Sequence, residues 1–438
     1  MRKRFIISFL TAACLIMTLA GCSGSESGSK IVVTMSYDEK LTNTEAFIED
    51  KLPNVDFQWQ ILTGYLFVST MQRQIETGHA PDLVISNQPA DEDSSNYMLA
   101  LDGYEFSSRY ESTMLKDLTV DERLYYLPKP GQYSCYIINK TLLDQANLEI
   151  PKNNEELIST LITLQEAGIG LTDTGHPFGM RKIDNITTGT LLMGSLIPDF
   201  LGTTQGVTWM AEYENKETTM AGYWEPGFDI LDELVKNDLI STLPFSKQGN
   251  QINMADYMSQ GRLAMAYGSS AFYKECKILN EEYVKEGTTE PYEYVMVPFL
   301  SNESAPCWTL SRPTNYLGIN GDLEKNGLDA KLEACIEILD ILSTKEGQEA
   351  LMKDLRLDNS YLKDFESEAS TIPRGLEETV ENGYVYYVKF PGKITEYLGS
   401  QVALFLGGKK TAEECLAAVD DYYINGSAVA EEDLTIYG

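Results

Sequence analysis

The sequence predicts an α/β protein folded into two lobes, and three observations support this. Short β-like runs alternate with amphipathic helical patterns along the chain, which is typical of α/β proteins. About 400 of the 438 residues follow an N-terminal leader, and one ordinary hydrophobic core does not accommodate so many. Beyond a short Ser/Gly segment, no internal repeat or low-complexity block interrupts the alternation.

The first hundred residues predict a parallel sheet. Phe67, Met71 and Ile75 recur at a spacing of four and so lie on one helical face, and Gly78 suits the left-handed position just past a helix end. The order of elements is β-α-β-α-β, which favours parallel strands with helices on both faces. The predicted elements are a strand Ile31–Met35, a helix Leu41–Lys51, a strand Val55–Ile61, a helix Leu66–Thr77 and a strand Asp82–Ile85.

Later segments show equally readable patterns. The polar and aromatic stretch Val207–Thr218 suggests a hairpin between helices. The closing helix runs from about Thr411 to Asp421, with Thr411 as N-cap and Glu414 completing a capping box. One apolar helical stripe predicts core packing, and it consists of Leu328, Leu332, Cys335, Ile336, Leu339 and Leu342.

The chain is strongly acidic, with 66 Asp and Glu against 34 Lys and Arg and a formal net charge of −32. Such a surface repels polyanions, so we expect no nucleic-acid partner. The charge also favours solubility and a monomeric state.

Cysteine and histidine usage indicates neither a metal site nor a cofactor. Two of the seven cysteines lie in the leader, and the other five are an odd number without a tight CxxC spacing. Cys335 and Cys415 sit in helical patterns and are expected to be small core residues. His79 and His176 are far apart and fit no zinc-binding spacing.

No catalytic grouping is recognisable, so the sequence predicts no enzyme and no catalytic residue. A GxSxG elbow, a GxxxxGK[ST] phosphate loop and a GxGxxG turn are all absent from the sequence. Adjacent carboxylates such as Glu281 and Glu282 normally form a solvated helix face. Aromatic residues are abundant, with 26 Tyr, 4 Trp and 15 Phe, and aromatic rings stack on the apolar faces of sugars.

The N-terminus is typical of an export signal. A basic start, Arg2 to Arg4, precedes the apolar run Phe5–Ala20, which is shorter than the roughly 20 residues of a membrane span. The following Leu19-Ala20-Gly21-Cys22 resembles a bacterial lipobox. The resemblance implies that residues 1–21 are a lipoprotein signal peptide and that Cys22 carries the lipid.

Lipidation would anchor the protein to the cell membrane on its extracellular side, through lipid alone. Two acyl chains hold a soluble domain stably, where one gives marginal binding. Residues 22–30 are rich in Ser and Gly and are expected to act as a flexible tether. The folded part therefore begins near Ile31.

Seven segments, in order along the chain, resemble the family of extracellular solute-binding proteins for carbohydrates, to which maltose-binding protein belongs. Each motif is weak alone, but together they cover about residues 75 to 350 in family order. They are Glu76–Leu83 (ETGHAPDL), Arg123–Pro128 (RLYYLP), Tyr136–Leu143 (YIINKTLL), Ile150–Leu157 (IPKNNEEL), Gln260–Met265 (QGRLAM), Val295–Phe299 (VMVPF) and Ser343–Gln348 (STKEGQ).

The resemblance implies a periplasmic-binding-protein-like fold, with two α/β lobes, two or three hinge crossings and a ligand cleft between the lobes. Matching positions place the crossings near Pro130–Ser134, Trp308–Pro313 and Leu355–Tyr361. One lobe would then hold residues 31–131 and 313–355, and the other residues 132–308 and 356–438.

Strand ends nominate the ligand-binding residues, because open α/β sheets bind ligand beyond the carboxyl ends of their strands. The second predicted crossing adds an aromatic ring and a bidentate donor. The nominated residues are Ser36, Tyr37, Asp38, Asn87, Gln88, Asp184, Asn185, Ser270, Phe272, Trp308 and Arg312.

One departure from the family pattern bears on the ligand. Many family members carry a sugar-stacking Trp shortly after the "AM" motif, whereas here Ala264-Met265 is followed by Ala266–Phe272 (AYGSSAF). Either Phe272 or another aromatic takes that role, or the ligand is not a stacked glucan.

The function implied is capture of a small solute, a sugar or oligosaccharide, for the permease subunits of an ABC importer. Three alternatives stay open on the sequence. They are the same fold binding a non-sugar solute such as a peptide or anion, a lipoprotein glycan hydrolase, and a sensor subunit that presents bound sugar to a membrane kinase.

Overall fold

The computed structural model describes most of the chain after the leader. The described residues are 30–37, 39–62, 70–71, 73–75, 77–86, 90, 93–116, 118–180, 192–241, 253–302, 306–313, 315–368, 371–388 and 392–428. In these segments no helix is long and apolar enough to cross a membrane. The predicted signal peptide, Cys22 and most of the tether lie outside them.

Strands in the described residues are mostly short. They are β1 (Ile31–Tyr37), β2 (Val55–Ile61), β3 (Leu83–Ser86), β4 (Thr119–Val120), β5 (Arg123–Leu124), β6 (Leu127–Pro128), β7 (Gly131–Asn139), β8 (Phe178–Gly179), β9 (Met265–Ser269), β10 (Tyr294–Val297), β11 (Thr309–Pro313), β12 (Tyr316–Ile319) and β13 (Val385–Tyr386).

Helices surround these strands, together with one 3₁₀ helix at Glu105–Arg109. They are α1 (Thr42–Lys51), α2 (Ser94–Tyr97), α3 (Ser112–Lys116), α4 (Lys140–Gln145), α5 (Asn154–Ala167), α6 (Met193–Ser195), α7 (Pro198–Leu201), α8 (Thr204–Glu214), α9 (Glu225–Lys236), α10 (Met254–Ser259), α11 (Ser270–Glu286), α12 (Asp322–Lys325), α13 (Asp329–Leu342), α14 (Lys345–Leu355), α15 (Glu377–Glu381), α16 (Gly392–Leu406) and α17 (Ala412–Asn425).

The first sheet has the strand order β2-β1-β3-β12-β6. β1 pairs with β2 and β3 in parallel, which confirms the parallel opening. β12 returns to the sheet antiparallel to both β3 and β6. Gly78 has φ +67°, as predicted for a residue just past a helix. Residues 70, 71 and 73–75 of the predicted helix Leu66–Thr77 are helical, and half of that range lies outside the described residues.

The second sheet has the order β13-β11-β7-β9-β8, with β10 also paired to β7. β7 is antiparallel to β9, β10 and β11. Its side chains alternate between two apolar clusters, with Tyr136 and Ile138 in the larger one and Cys135 and Ile137 in the smaller one. This alternation is expected of a strand buried on both faces.

The chain passes between the sheets by short connections. Lys129 and Pro130 join β6 of the first sheet to β7 of the second, and residues 314–315 join β11 back to β12. A third passage comes later, because Leu362 belongs to the core of the first lobe and Phe365 packs against it, whereas Leu376 lies in the smaller cluster beside β7.

These passages differ from the predicted crossings in detail. Gly131–Ser134 and Leu310–Pro313, which the predicted crossings include, are paired strand residues of the second sheet. The segment from Arg356 to Phe365 contacts both lobes. Tyr361 and Leu362 are part of the core of the first lobe, whereas Asp358 pairs with Lys274 and Asn359 bridges to Gly131 in the second. The predicted lobe bounds stay a prediction.

The predicted hairpin at Val207–Thr218 is wrong, because α8 spans Thr204–Glu214. The Thr203 side chain accepts a hydrogen bond from the Gly206 N–H and caps the helix. Trp209 and Tyr213, four residues apart, are buried on one face. The aromatic content suggested a strand, but the spacing of four is the stronger signal.

The predicted closing helix and apolar stripe are confirmed with adjustments. Thr411 caps α17, and the reciprocal hydrogen bond with Glu414 completes the capping box. In α13 the buried face includes Cys335 and Leu339, with Ile338 in place of Ile336. Leu328 does not belong to it, because it precedes the helix and is 46% exposed. The five cysteines after the leader are all free, and Cys335 and Cys415 are fully buried.

Candidate functional site

One edge of the first sheet collects polar and aromatic residues. β1 and β3 are parallel and end at Tyr37 and Ser86, while β12 runs the other way and begins at Tyr316, opposite Ser86. Pro128, at the end of β6, pairs with Tyr316 on its other side. Ligands of open α/β sheets bind beyond the carboxyl ends of such strands, so this edge is the candidate binding surface of the first lobe.

The second sheet presents a matching edge. β7 begins at Gly131, which pairs with Pro313 at the end of β11, and β9 ends nearby at Ser269. Two connections of two residues each, at 129–130 and 314–315, join this edge to the first sheet. The two edges therefore face each other across the connections, and the space between them is the candidate ligand cleft.

A lysine is buried in the first connection. Lys129 is fully buried, and its Nζ lies 4.2 Å from the ring centroid of Tyr37. The Nζ donates to Asn315 Oδ1 over 3.3 Å, and the Tyr37 hydroxyl donates to the same oxygen over 3.1 Å. The side-chain amide of Asn315, in the second connection, thus holds the Lys129 ammonium of the first connection against the Tyr37 ring at the end of β1.

Further hydroxyl contacts tie the segments together at this level. The Tyr316 hydroxyl, at the start of β12, lies 3.4 Å from the hydroxyl of Tyr387, just after β13 of the second sheet. Ser311 of β11 contacts the Tyr361 hydroxyl over 3.2 Å and accepts from Asn359 Nδ2 over 3.1 Å. Residues of both lobes therefore meet at the floor of the cleft.

An ion pair joins the segment after α14 to the start of α11. Asp358 is fully buried, and its Oδ1 lies 2.7 Å from Lys274 Nζ. Ser270, the first residue of α11, donates its hydroxyl to the same carboxylate and accepts from the Tyr133 N–H over 3.2 Å. Lys274 also donates to the carbonyl oxygen of Arg356 over 3.0 Å.

Burial dominates the titration of this cluster. Desolvation raises the pKa of Asp358 above its ordinary value, although Lys274 and Ser270 pull it down. The pKa of Tyr133 is raised to about 12, first by burial and then by the charge of Asp358. Tyr133, which packs in the smaller apolar cluster, therefore keeps a neutral hydroxyl throughout the physiological range.

Five of the nominated binding residues fall outside the described residues, so the structure says nothing about them. These are Asp38, Asn87, Gln88, Asp184 and Asn185. The side chain of Arg312 is also outside the description, although its backbone pairs with Gln132 in the second sheet.

The structure brings Tyr37 and Ser270 to the facing edges. β1 continues through Ser36 to Tyr37 rather than ending at Met35. Ser36 is fully buried, and its hydroxyl donates to Gln60 Oε1 over 2.8 Å inside the first lobe. Ser36 thus has a structural partner within its own lobe.

The two nominated aromatic residues pack within the second lobe. Phe272 contacts the smaller apolar cluster beside β7. Trp308 precedes β11, at the end remote from the connection to β12, and its ring contacts Tyr384 and Tyr386 edge-on at 5.2 and 6.2 Å. A Cβ on Gly202 would lie 2.5 Å from the Trp308 ring, so the glycine admits the ring.

Sequence reasoning missed the residues of the connections themselves. Lys129, Asn315, Asp358 and Asn359 follow no strand of the predicted sheets, so the rule of strand ends does not select them. One usable signal was present, because a lysine between Pro128 and Pro130 sits where the backbone cannot form regular structure.

The described residues contain no group of three or more His, Cys, Asp or Glu side chains that could hold a metal ion. Lys129, Ser270 and Asp358 are fully buried and paired within the protein, whereas the partly exposed Asn359 and Tyr387 offer an amide and a hydroxyl at this level. Such groups orient and bind a small polar molecule.

A family model described as "Bacterial extracellular solute-binding protein" matches residues 65–360 of the chain. None of the curated proteins matches it. The matched range includes β3, β6 and β12 of the first sheet, all of the second sheet except β13, and both short connections.

Solved structures share the two-lobed fold at low sequence identity. A chitin oligosaccharide binding protein is 17% identical, with TM-score 0.68, and the match covers 91% of this chain and 99% of that one. The GacH receptor of Streptomyces glaucescens, solved unliganded and with acarbose, is 17% identical, with TM-score 0.67 and coverage of 93% and 99%. The protein RafE in complex with raffinose is 12% identical, with TM-score 0.64 and coverage of 91% and 99%.

Proposed function

Since the chain belongs to the bacterial extracellular solute-binding proteins, we propose that it captures a sugar or oligosaccharide and delivers it to an ABC importer. The observation that carries the proposal is the pair of facing sheet edges, which are joined by short connections and carry hydroxyl and amide groups. Structural neighbours that bind chitin oligosaccharide, acarbose and raffinose support the choice of ligand class.

The chemistry at the cleft suits a polyhydroxylated solute. Hydroxyl and amide groups of Tyr316, Tyr387 and Asn359 lie where both lobes contribute. Sugars offer each hydroxyl as donor and acceptor, and so match such groups in pairs. Ser270 is fully buried and its hydroxyl is bonded to Asp358 and to the Tyr133 N–H, so its role is structural. The nominated residues that we keep as ligand contacts are Tyr37, Arg312, Asp38, Asn87, Gln88, Asp184 and Asn185.

Ligand would act by bridging the lobes. A ligand shifts an open–closed equilibrium only by the contacts that it makes in the closed state alone. The short connections at 129–130 and 314–315 restrict relative motion of the lobes to bending about one line. Lys129, held by Asn315, belongs to the floor about which that bending takes place.

Membrane attachment and delivery are further parts of the proposal. The basic and apolar leader and the lipobox-like Leu19–Cys22 support lipidation of Cys22. The tether 22–30 would let the domain reach a permease in the same membrane. The importer would then receive the solute from the closed form.

A calorimetric screen against mono- and oligosaccharides tests the proposal. We expect saturable binding of one sugar class, at one site per chain, with the sugar recovered unchanged. Saturable binding of a peptide or an anion, with no response to any sugar, would overturn the sugar assignment. Release of shortened glycan products would instead identify a hydrolase.

A further inference from the structure

A groove on the second lobe, away from the cleft, lies between α5 and α9. Its volume is about 540 Å³. The apolar part consists of Ile158 and Ile162, one turn apart on α5, and of Pro226 and Ile230 on α9. Spacings of four on both helices make the groove about two helical turns long.

The groove carries negative charge. Glu155, Asp229 and Glu233 line it, and none of the described lining residues is a Lys or Arg. The helix N-terminus partly offsets the charge of Glu155, in the first turn of α5. Asp229 and Glu233 lie further along α9 at a spacing of four, where two like charges repel each other.

Lys236, on the same helix, partly compensates this charge. It pairs with Asp232, which is the main reason that the pKa of Lys236 is raised. Glu233 and Asp229 raise that pKa further through their charge. The field of the groove therefore favours cations.

Asn154 and Asn302 also line the groove. Asn154 is only 6% exposed, and its Nδ2 donates to Asn302 Oδ1 over 3.0 Å. Its Oδ1 has no hydrogen-bond partner among the described residues, and it is shielded from solvent. The acceptors open to an occupant are the exposed carboxylates of Glu155, Asp229 and Glu233.

These features define the occupant. It must carry positive charge, donate hydrogen bonds, and present apolar side chains over about two helical turns. A second copy of this chain is a poor candidate, because its net charge of −32 opposes association with an acidic surface. An amphipathic helix with a basic flank meets every requirement, since helices commonly lay an apolar face into such grooves.

We propose that the groove between α5 and α9 docks a basic amphipathic helix of a partner protein. The docking site is separate from the ligand cleft and does not depend on which solute is bound. Its apolar floor provides affinity, and its three carboxylates select the sign of the partner's charge.

Synthetic helices provide the test. The probe is a peptide of roughly 14 residues, about four helical turns, with leucines at spacings of three and four and flanking lysines. We expect saturable binding by fluorescence anisotropy, and no binding of the same peptide with glutamates replacing the lysines.

Matched variants locate the site. The double substitution Asp229→Lys and Glu233→Lys should weaken peptide binding about tenfold or more, equivalent to about 1.4 kcal/mol. Glu281→Lys with Glu282→Lys, on the exposed face of α11, changes the net charge equally and should leave binding close to that of the unchanged protein. Ile162→Ser should weaken binding without any change of charge.

Equal loss in both double variants would show unspecific charge attraction and overturn the proposal. Equal binding of the lysine and glutamate peptides would also overturn the proposal. Binding of hexylammonium, a small organic cation, as tight as that of the peptide would overturn it as well. Circular dichroism of each variant verifies that the helices are retained.

Discussion

Lys129 carries a charge into a fully buried position, where it meets Asn315, 186 residues further along the chain. The two residues belong to the two short connections between the sheets. A buried ammonium needs acceptors, and the Asn315 carbonyl oxygen serves both Lys129 and the Tyr37 hydroxyl. This amide is therefore the residue on which the packing of the connections depends.

Replacing Asn315 by Ala should destabilise the protein by about 1–3 kcal/mol, because buried donors lose their shared acceptor. Tyr37→Phe removes only one of the two donors and should cost about 1 kcal/mol or less. Urea unfolding measures both. A smaller loss of unfolding free energy for Asn315→Ala than for Tyr37→Phe would show that the Asn315 amide is not the shared acceptor on which this packing depends.

The pKa of Asp358 is raised in the folded protein. The folded state therefore holds this proton more tightly than the unfolded chain does. The stabilisation that results is fully present below the ordinary pKa of 3.8 and is lost as the pH rises through the raised value.

Comparison with Asp358→Asn isolates this contribution. The free energy of unfolding of the unchanged protein, relative to the variant, should fall as the pH rises from 3.8. Urea unfolding over a pH series measures the difference. A relative stability that increased with pH would show that the Lys274 contact outweighs burial, contrary to our account.

Single residues were only partly predictable from the sequence. The positions of Tyr37 and Ser270 at the facing edges could be predicted, because each adjoins a strand end that local patterns reveal. A ligand contact of either residue stays a prediction. Asp358 could not, since its role arises from Lys274 and Ser270, which are distant in the chain and meet it only in the folded protein. No local sequence pattern indicates contacts between residues so far apart in the chain.

At the scale of elements, end signals proved more reliable than composition. The capping box of α17 was visible as Thr411 and Glu414, three residues apart. In α8, by contrast, aromatic and polar content suggested a hairpin, whereas burial of Trp209 and Tyr213 on one face stabilises a helix. Tertiary packing decides such segments, and propensity alone is a weak guide.

Removing the cap of α17 tests the value of that signal. Thr411→Ala should destabilise the protein by about 1 kcal/mol, because the Glu414 N–H loses its side-chain acceptor. Thr208→Ala, at an exposed position of α8, removes only a hydroxyl bonded back to the Thr204 carbonyl and should change stability by less than about 0.5 kcal/mol. If thermal unfolding showed that Thr411→Ala and Thr208→Ala destabilise the protein equally, the Thr411 cap would not stabilise α17.

At the scale of the whole molecule, the parallel opening was predictable and the return of the chain was not. β1, β2 and β3 follow one another with helices between them, so local patterns reveal their order. β12 joins them antiparallel, after the chain has built the second sheet. That return creates the second short connection and thereby the facing edges on which the proposed function depends.

Small-angle X-ray scattering, with and without a saturating sugar from the calorimetric screen, tests the central claim most directly. If ligand bridges the two lobes, the radius of gyration should decrease on binding, by an amount that follows the occupancy measured by calorimetry. A sugar that binds at one site per chain with an unchanged radius of gyration would contradict closure about the 129–130 and 314–315 connections.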